Sequence, residues 1–327
     1  MVDKTLGPIL MLNYLRLMRP ADWVKNVFIL PAFIFTLPAL LAADATDRMP
    51  AMVMSTFWTI VAFSLLSSGV YAINDAIDHE RDRLHPVKSR RPIASGAMSQ
   101  KSGVVFAIVL AATAMAIGWS VSRSVGMCLV LYVLLQALYN LGFKRIVVVD
   151  AVVLAIGFSL RAGAGAFAIG VSVSAWLLGL VFFLTLYLAF IKRQCDLATA
   201  SAANAQWKSP AGYDDPLELN WLLGLSGVTV VLSWILYSLS PHAEVVFGVR
   251  AAGFAMLTPL VIITVHRFYK RSRKGLSDSP LAAFIQDRVT AICFVLFVVG
   301  IASCLYVPWV ETSLEKLIFI EPHTFEP

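Results

Sequence analysis

Charge is what this chain has least of. Asp, Glu, Lys and Arg make up 14% of its 327 residues, where an ordinary soluble domain carries about 25%, so a fully hydrated surface is excluded. Cysteine is rare as well. Cys128, Cys195, Cys293 and Cys304 lack metal-ligand spacing, and three of them sit in apolar runs, where a free thiol packs as a small hydrophobe. The histidines (His79, His85, His242, His266 and His323) form no ligand pair and supply no convincing general base. The apolar runs do not alternate with polar residues at every second position, which excludes the strands of an outer-membrane barrel. Nor is a cleavable leader expected: residues 1–25 are mixed, with Lys4, Arg16, Arg19 and Lys25 ahead of any apolar stretch. The first spanning helix is expected to act as its own insertion signal.

What is abundant is hydrophobic: 59% of the residues, with a mean hydropathy of +0.78. A helix needs about 20 apolar residues to cross a bilayer. Such runs recur at 26–43, 52–73, 103–121, 125–142, 146–170, 173–191, 219–239, 245–265 and 289–309. The expected fold is an all-α integral membrane protein of about nine transmembrane helices, a single transmembrane domain over 1–327. Lys and Arg placement orients it. Of the 26 basic residues, 21 fall on one side, Arg48, Arg123, Arg250 and Lys316 on the other, and Arg161 within the membrane. The amino terminus is therefore expected in the cytoplasm. The carboxyl terminus, acidic through Glu311, Glu315, Glu321 and Glu326, is expected outside the inner (cytoplasmic) membrane. The net charge of +6 follows from this concentration, so a membrane is the expected partner and nucleic acid is not. A homo-oligomer is compatible with the sequence.

The densest chemistry lies between Asn74 and Gly96. Asp75, Asp78, Glu80 and Asp82 fall within eight residues, followed by Arg83, Lys88, Arg90 and Arg91. On a continuous helix Asn74, Asp78 and Asp82 lie one above another, with Asp75 on a neighbouring edge. Like charges on one face repel unless a cation sits among them. Hard divalent ions such as Mg²⁺ are held by one or two carboxylates plus substrate phosphate oxygens, and the basic half suits a phosphate-bearing substrate. Asn74, Asp75, Asp78 and Asp82 are the expected metal ligands.

Long polar loops at about 74–102, 192–217 and 266–288 contrast with very short connections near 122–124 and 171–174, so function is expected on the cytoplasmic face. Pro20 and Trp23 fit a helix start and an interfacial anchor. Lys25 and Asn26 follow at the mouth, where Lys25 reads equally as a snorkelling flank or a phosphate ligand. Ser67, Ser68 and Gly69 allow close helix contact, one turn before Tyr71. Tyr139, Asn140 and Lys144 end the fourth helix. Asp150 opens the fifth, with Arg161 on the same face about 16 Å deeper. A charge at that depth costs about 2.5 kcal/mol or more and faces either a cavity or a partner. Lys192, Arg193 and Asp196 follow the sixth helix, with Lys208 beyond. The cluster 266–274 fits topology or anionic headgroups. Asp278, Asp287 and Arg288 return toward the last helix.

The N-D-x-x-D-x-x-x-D motif, the nine-helix count and the cytoplasmic loops together resemble the UbiA superfamily of intramembrane prenyltransferases. That resemblance implies helices around a central cavity open to the cytoplasmic side, with Mg²⁺ and a diphosphate bound under the loops after the second and sixth helices. Most members carry a second D-x-x-x-D after the sixth helix. Here that position reads Lys192-Arg193-Gln194-Cys195-Asp196-Leu197. This is similar to the decaprenyl-phosphate phosphoribosyltransferase branch and its K-R-x-x-E-L segment, with Asp196 in place of Glu. W-V-K-N, H-P-x-K-x-R-R-P-I-A-S-G and L-R-A-x-A-G resemble the same branch.

The branch implies transfer of a 5-phosphoribosyl group from phosphoribosyl diphosphate to a polyprenyl phosphate. Asp75, Asp78, Lys192 and Arg161 become the expected catalytic residues. Lys25, Asn26, Tyr71, Arg83, Lys88, Arg91, Tyr139, Lys144, Asp150, Arg193, Asp196, Asp287 and Arg288 become the expected substrate contacts. A lipid phosphate is already an anion and needs no general base, and the many cations offset two phosphorylated reactants. Two alternatives stand beside it: a UbiA-type prenyltransferase with an aromatic acceptor, and a transporter of a phosphorylated solute. Matched broken helices would favour the transporter, and none is evident.

Overall fold

The computed structural model describes residues 6–84, 88–202, 211–276 and 286–318. Of the residues singled out above, Lys4, His85, Lys208, Asp278, Glu321, His323 and Glu326 lie outside these. The described residues contain helices and no strand, and nine stretches among them are long and apolar enough to cross a membrane. By contact the chain forms two compact units, Met1–Phe143 with Ile156–Val173, and Lys144–Ala155 with Ser174–Pro327.

The first unit begins with α1 (Leu6–Met18), a 3-10 segment (Pro20–Ile29) and α2 (Leu30–Ala42). The helix expected from residue 26 thus starts later, and Asn26 lies buried in the tighter 3-10 turns. The break falls at Arg19, whose φ of 52° is left-handed; Pro20 disfavours the right-handed helical state in the residue before it. Next comes α3 (Met49–Ile77), started by Pro50, then the single turn α4 (His79–Arg83). Asn74, Asp78 and Asp82 do not stack on one helix as expected. The helix stops at Ile77, and Asp78 turns the chain with φ −90° and ψ 7°. Successive carboxylates at a helix C-terminus oppose the macrodipole, and Asp competes for backbone hydrogen bonds.

Helices α5 (Gln100–Val121) and α6 (Arg123–Leu141) are joined by Ser122 alone. Its side chain caps α6 by accepting from Val125 N at 3.1 Å. Helix α7 (Val149–Ala168) gives its first turns to the second unit and the rest to the first. Ile29, Phe63, Leu66, Leu129 and Tyr132 form a core of the first unit, with Ala164 of α7. The A-G-A-G-A run does bring backbones together: a Cβ on Gly165 would lie 2.1 Å from the Ile29 carbonyl oxygen.

The second unit continues through α8 (Ala175–Ala202), α9 (Pro216–Ser238), α10 (Pro241–Phe247), α11 (Arg250–Met256), α12 (Thr258–Ser272), α13 (Arg288–Tyr306) and α14 (Pro308–Ile318). The eighth run, expected as one helix over 245–265, is divided. Gly248 turns at φ 58°, and Leu257 separates α11 from α12 where Pro259 cannot extend the helix before it. The core gathers Tyr187, Phe190, Ile191, Tyr213, Leu219 and Phe268. Large apolar side chains stand exposed along several helices, including Val105, Ile108, Val228, Leu232 and Val295. In a bilayer this surface meets lipid, and in water its extent would be an aggregation hazard.

Candidate active site

One face of α3 organises the site in the first unit. Ser64, Ser68, Tyr71 and Asp75 recur at i, i+4, i+7 and i+11, the spacing of a helical stripe. Each meets the segment between α1 and α2. Asn26 Nδ2 donates to Ser64 Oγ at 2.8 Å, and Trp23 Nε1 to Ser68 Oγ at 3.0 Å. Lys25 Nζ lies 3.3 Å from the Tyr71 hydroxyl and 2.6 Å from Asp22 Oδ1. Arg19 donates to Asp75 Oδ1 and stacks its guanidinium 4.9 Å from the Tyr71 ring centre.

At the top of the stripe the acidic motif closes on itself. A single nitrogen of Arg91, Nη1, lies 2.9 Å from Asp75 Oδ1 and 2.6 Å from Asp82 Oδ2. Both carboxylates are buried, at 2% and 4% exposure. Asp75 and Asp82 are seven residues apart, close to two helical turns, and the hydrogen bond from Asp82 N to the Asp78 carbonyl (2.9 Å) carries the helical path past the bend. Pro92, Ile93 and Ala94 are buried behind Arg91, the Ala94 carbonyl accepting from Arg83 Nε at 3.1 Å. Gly96 ends the tucked segment at φ 79°, a conformation that side chains strain. Asn74 Oδ1 accepts from Asn140 Nδ2 at 2.8 Å. Asp78 and Tyr139 are half-buried, and Lys88 is exposed.

At the lower end of the stripe lies Arg161, 4% exposed. Its Nε donates to Asn26 Oδ1 (2.9 Å), Nη1 to the Gly157 carbonyl (2.9 Å) and Nη2 to the Tyr132 hydroxyl (3.2 Å). Its guanidinium lies within 5.6 Å of the ring centres of Tyr132, Phe158 and Phe63. Among the described residues no carboxylate pairs with it. Neutral acceptors and π-faces hold the charge instead, which disfavours the purely structural ion pair weighed from sequence.

The second unit holds two further acid–base groups. Asp150, fully buried, takes both Nε (3.0 Å) and Nη2 (2.8 Å) of Arg193 on Oδ2, while the Tyr213 hydroxyl donates to Oδ1 at 2.5 Å. Burial, and then the Asp150 carboxylate, hold the Tyr213 hydroxyl well above the usual tyrosine range. Tyr213 also accepts from Val148 N at 2.9 Å. Val148 is the centre of a γ-turn at φ 68°, a strained state for a β-branched residue. Asp196 approaches Arg193 at 3.8 Å, Lys144 is half-buried and Lys192 is exposed. Asp287 caps α13 through Thr290 N at 3.1 Å and receives Nε of Arg267 at 3.0 Å. The paired Arg267 guanidinium holds its carboxyl well below the usual range. Arg288 beside it is exposed.

Arg19 and Asp22 were absent from the sequence-derived site, where Arg19 counted only toward topology. The polar stripe 64/68/71/75 within an apolar helix is the signal that points to them. Among the described residues no three His, Cys, Asp or Glu side chains converge as a ready-made metal group. The donor chemistry nevertheless suits Mg²⁺. Two carboxylates already share one cationic nitrogen, and an ion completed by phosphate oxygens needs only one or two carboxylates.

Two relatives are 28% identical to the chain, and both are called decaprenyl-phosphate phosphoribosyltransferase. The Mycolicibacterium smegmatis protein aligns over 89% of this chain and 92% of its own, the Mycobacterium tuberculosis protein over 90% and 94%. Among solved structures, a UbiA homologue from Archaeoglobus fulgidus bound to GPP and Mg²⁺ superposes with a TM-score of 0.64 at 20% identity. The superposition covers 89% of this chain and 99% of that one and establishes the fold. The profile of the UbiA prenyltransferase family matches residues 32–286, and the chain is a member of that family.

Proposed function

We propose that the protein transfers a 5-phosphoribosyl group from phosphoribosyl diphosphate to a polyprenyl phosphate in the cytoplasmic membrane, releasing diphosphate. A lipid phosphate oxygen forms the new bond to the ribose anomeric carbon as the bond from that carbon to the diphosphate oxygen breaks. The observation that carries this reading is the convergence of Asp75 and Asp82 on one nitrogen of Arg91, with Arg19 paired to Asp75 beside it. Asp75 and Asp82, with Asn74 and Asp78 at the same bend, would hold Mg²⁺. Bound there, Mg²⁺ supplies neutralisation of charge on the departing diphosphate. Arg83, Lys88 and Arg91 come from the same loop and serve the phosphates. Lys25 and Tyr71 line the approach, and Arg161 supplies a positive charge deeper in the cavity, which opens to the cytoplasm.

The acceptor, already an anion, needs no deprotonation. Lys192, exposed where a second acidic motif is usual, favours a phosphorylated acceptor over an aromatic one. The names of the relatives at 28% identity support the same choice. The test is a matrix of donors and acceptors with Mg²⁺, using purified protein in nanodiscs and mass spectrometry of the lipid products. A phosphoribosylated polyprenyl phosphate is expected. A prenylated aromatic product would replace this reading with the ordinary prenyltransferase one, and solute uptake without any product would favour a transporter.

A further inference from the structure

The guanidiniums at the acidic corner stand in front of the carboxylates. Asp75 and Asp82 side chains are 2% and 5% exposed, whereas Arg19 and Arg91 are 26% and 28% exposed. Anything reaching the carboxylates from solvent therefore meets the arginines first. Arg91 Nη1 occupies the point equidistant to within 0.3 Å from the two oxygens (2.9 and 2.6 Å), which is where an ion held by both would sit. The two carboxylates and two guanidiniums balance in charge. A divalent ion entering alone would have to displace Arg91 and leave two excess positive charges in a poorly hydrated corner. The displaced guanidinium would also give up two charge-assisted hydrogen bonds to carboxylates. A diphosphate arriving with the ion removes both objections, because its negative charge more than offsets that of the ion and it offers Arg19 and Arg91 oxygen acceptors in place of the carboxylates.

We propose that Arg91, assisted by Arg19, is a latch that exchanges its carboxylate partners for phosphate oxygens, so the corner takes a divalent ion only together with a polyphosphate anion. The latch makes metal and diphosphate binding mutually dependent and keeps the carboxylates from trapping a metal without substrate. Arg19 suits the exchange, since it stands at the chain break before Pro20 in a left-handed conformation. This inference rests on the metal–diphosphate reading of the corner, but not on which acceptor is used.

The experiment is a Mn²⁺ titration of the full-length protein in nanodiscs, followed by the electron paramagnetic resonance signal of free Mn²⁺, with and without inorganic diphosphate. The wild type should bind Mn²⁺ weakly alone and at least about tenfold more tightly with diphosphate, within the ordinary range of coupling between two ligands. Arg91→Gln should bind Mn²⁺ alone about tenfold more tightly than wild type and lose most of the enhancement by diphosphate. Arg19→Gln should move both quantities the same way by less, and it carries the test if Arg91→Gln does not fold. Asp75→Asn serves as the control. If it binds Mn²⁺ as the wild type does, the metal reading of the corner fails and the latch with it. If Asp75→Asn loses the metal while both arginine variants bind Mn²⁺ alone no more tightly than wild type, the latch alone is overturned.

Discussion

Two buried aspartates make an instructive pair. Asp75 and Asp150 each sit near a helix end, and each meets an arginine. Asp75 gives one oxygen to two guanidiniums that are themselves a quarter or more exposed, in the last turn of α3. Asp150 has no exposure, both of its oxygens are taken, and a buried tyrosine seals its second side. The first arrangement meets solvent through its arginines. The second is a closed tie between the start of α7, the end of α8 and the loop before α9. The arginines differ less than the carboxylates do: Arg193 is 18% exposed against 26% and 28% for Arg19 and Arg91, so the contrast lies in how completely the acid's oxygens are taken.

Breaking the closed tie should have the largest effect. Asp150→Ala leaves Arg193 and Tyr213 without their buried partner, at a cost of about 3–5 kcal/mol, visible as a lowered thermal midpoint in detergent or nanodiscs. A midpoint equal to wild type would show that Asp150 does not tie these elements together. Asp75→Asn, and likewise Asp78→Asn, should instead lower turnover by about a hundredfold or more while membrane insertion and thermal midpoint stay near wild type. Full activity in both variants would refute the metal role.

Tyr213→Phe sharpens the contrast on a smaller scale, removing the hydrogen bonds to Asp150 and from Val148 N, each worth about 1 kcal/mol. Because the folded state raises the Tyr213 pKa, its stabilisation is complete below the unfolded value of about 10 and is lost as the pH rises through the folded value. The wild type should therefore show an alkaline loss of stability that the Phe variant lacks. Asp287 has the opposite sign. Its folded pKa is lowered, so its contribution is present above the unfolded value of about 4 and disappears only in stronger acid. Asp287→Asn retains a side chain able to cap α13 and should show the smallest change, a shallower acid limb in the same melting assay.

The membrane class and the nine spans were legible because hydrophobic run length is a direct physical requirement of a bilayer. The breaks within those runs were harder to read. Pro20, Gly248 and Pro259 were visible, but run length alone treats the residues around them as continuous. At the site, the carboxylates and the cations of the 74–96 stretch were legible as a constellation. The bend at Asp78 was not, since helical periodicity assumes that the helix continues. Arg19 escaped because a basic residue beside a membrane already has a sufficient explanation in topology. Its pairing with Asp75 depends on a contact between residues 56 positions apart. Arg161 was found from depth and charge alone, although its neutral surroundings were not predictable without the packing of Tyr132, Phe63 and Asn26.

Ser122 closes α5 with its amide and opens α6 with its hydroxyl, leaving no spare residue between the two helices. An insertion there would dismantle two helix ends at once. Evolution can scarcely add chain at that corner, and diversification must accumulate in the roomier connections elsewhere. The same constraint guides anyone placing an epitope or fluorescent tag: position 122 is a hinge pin to leave alone.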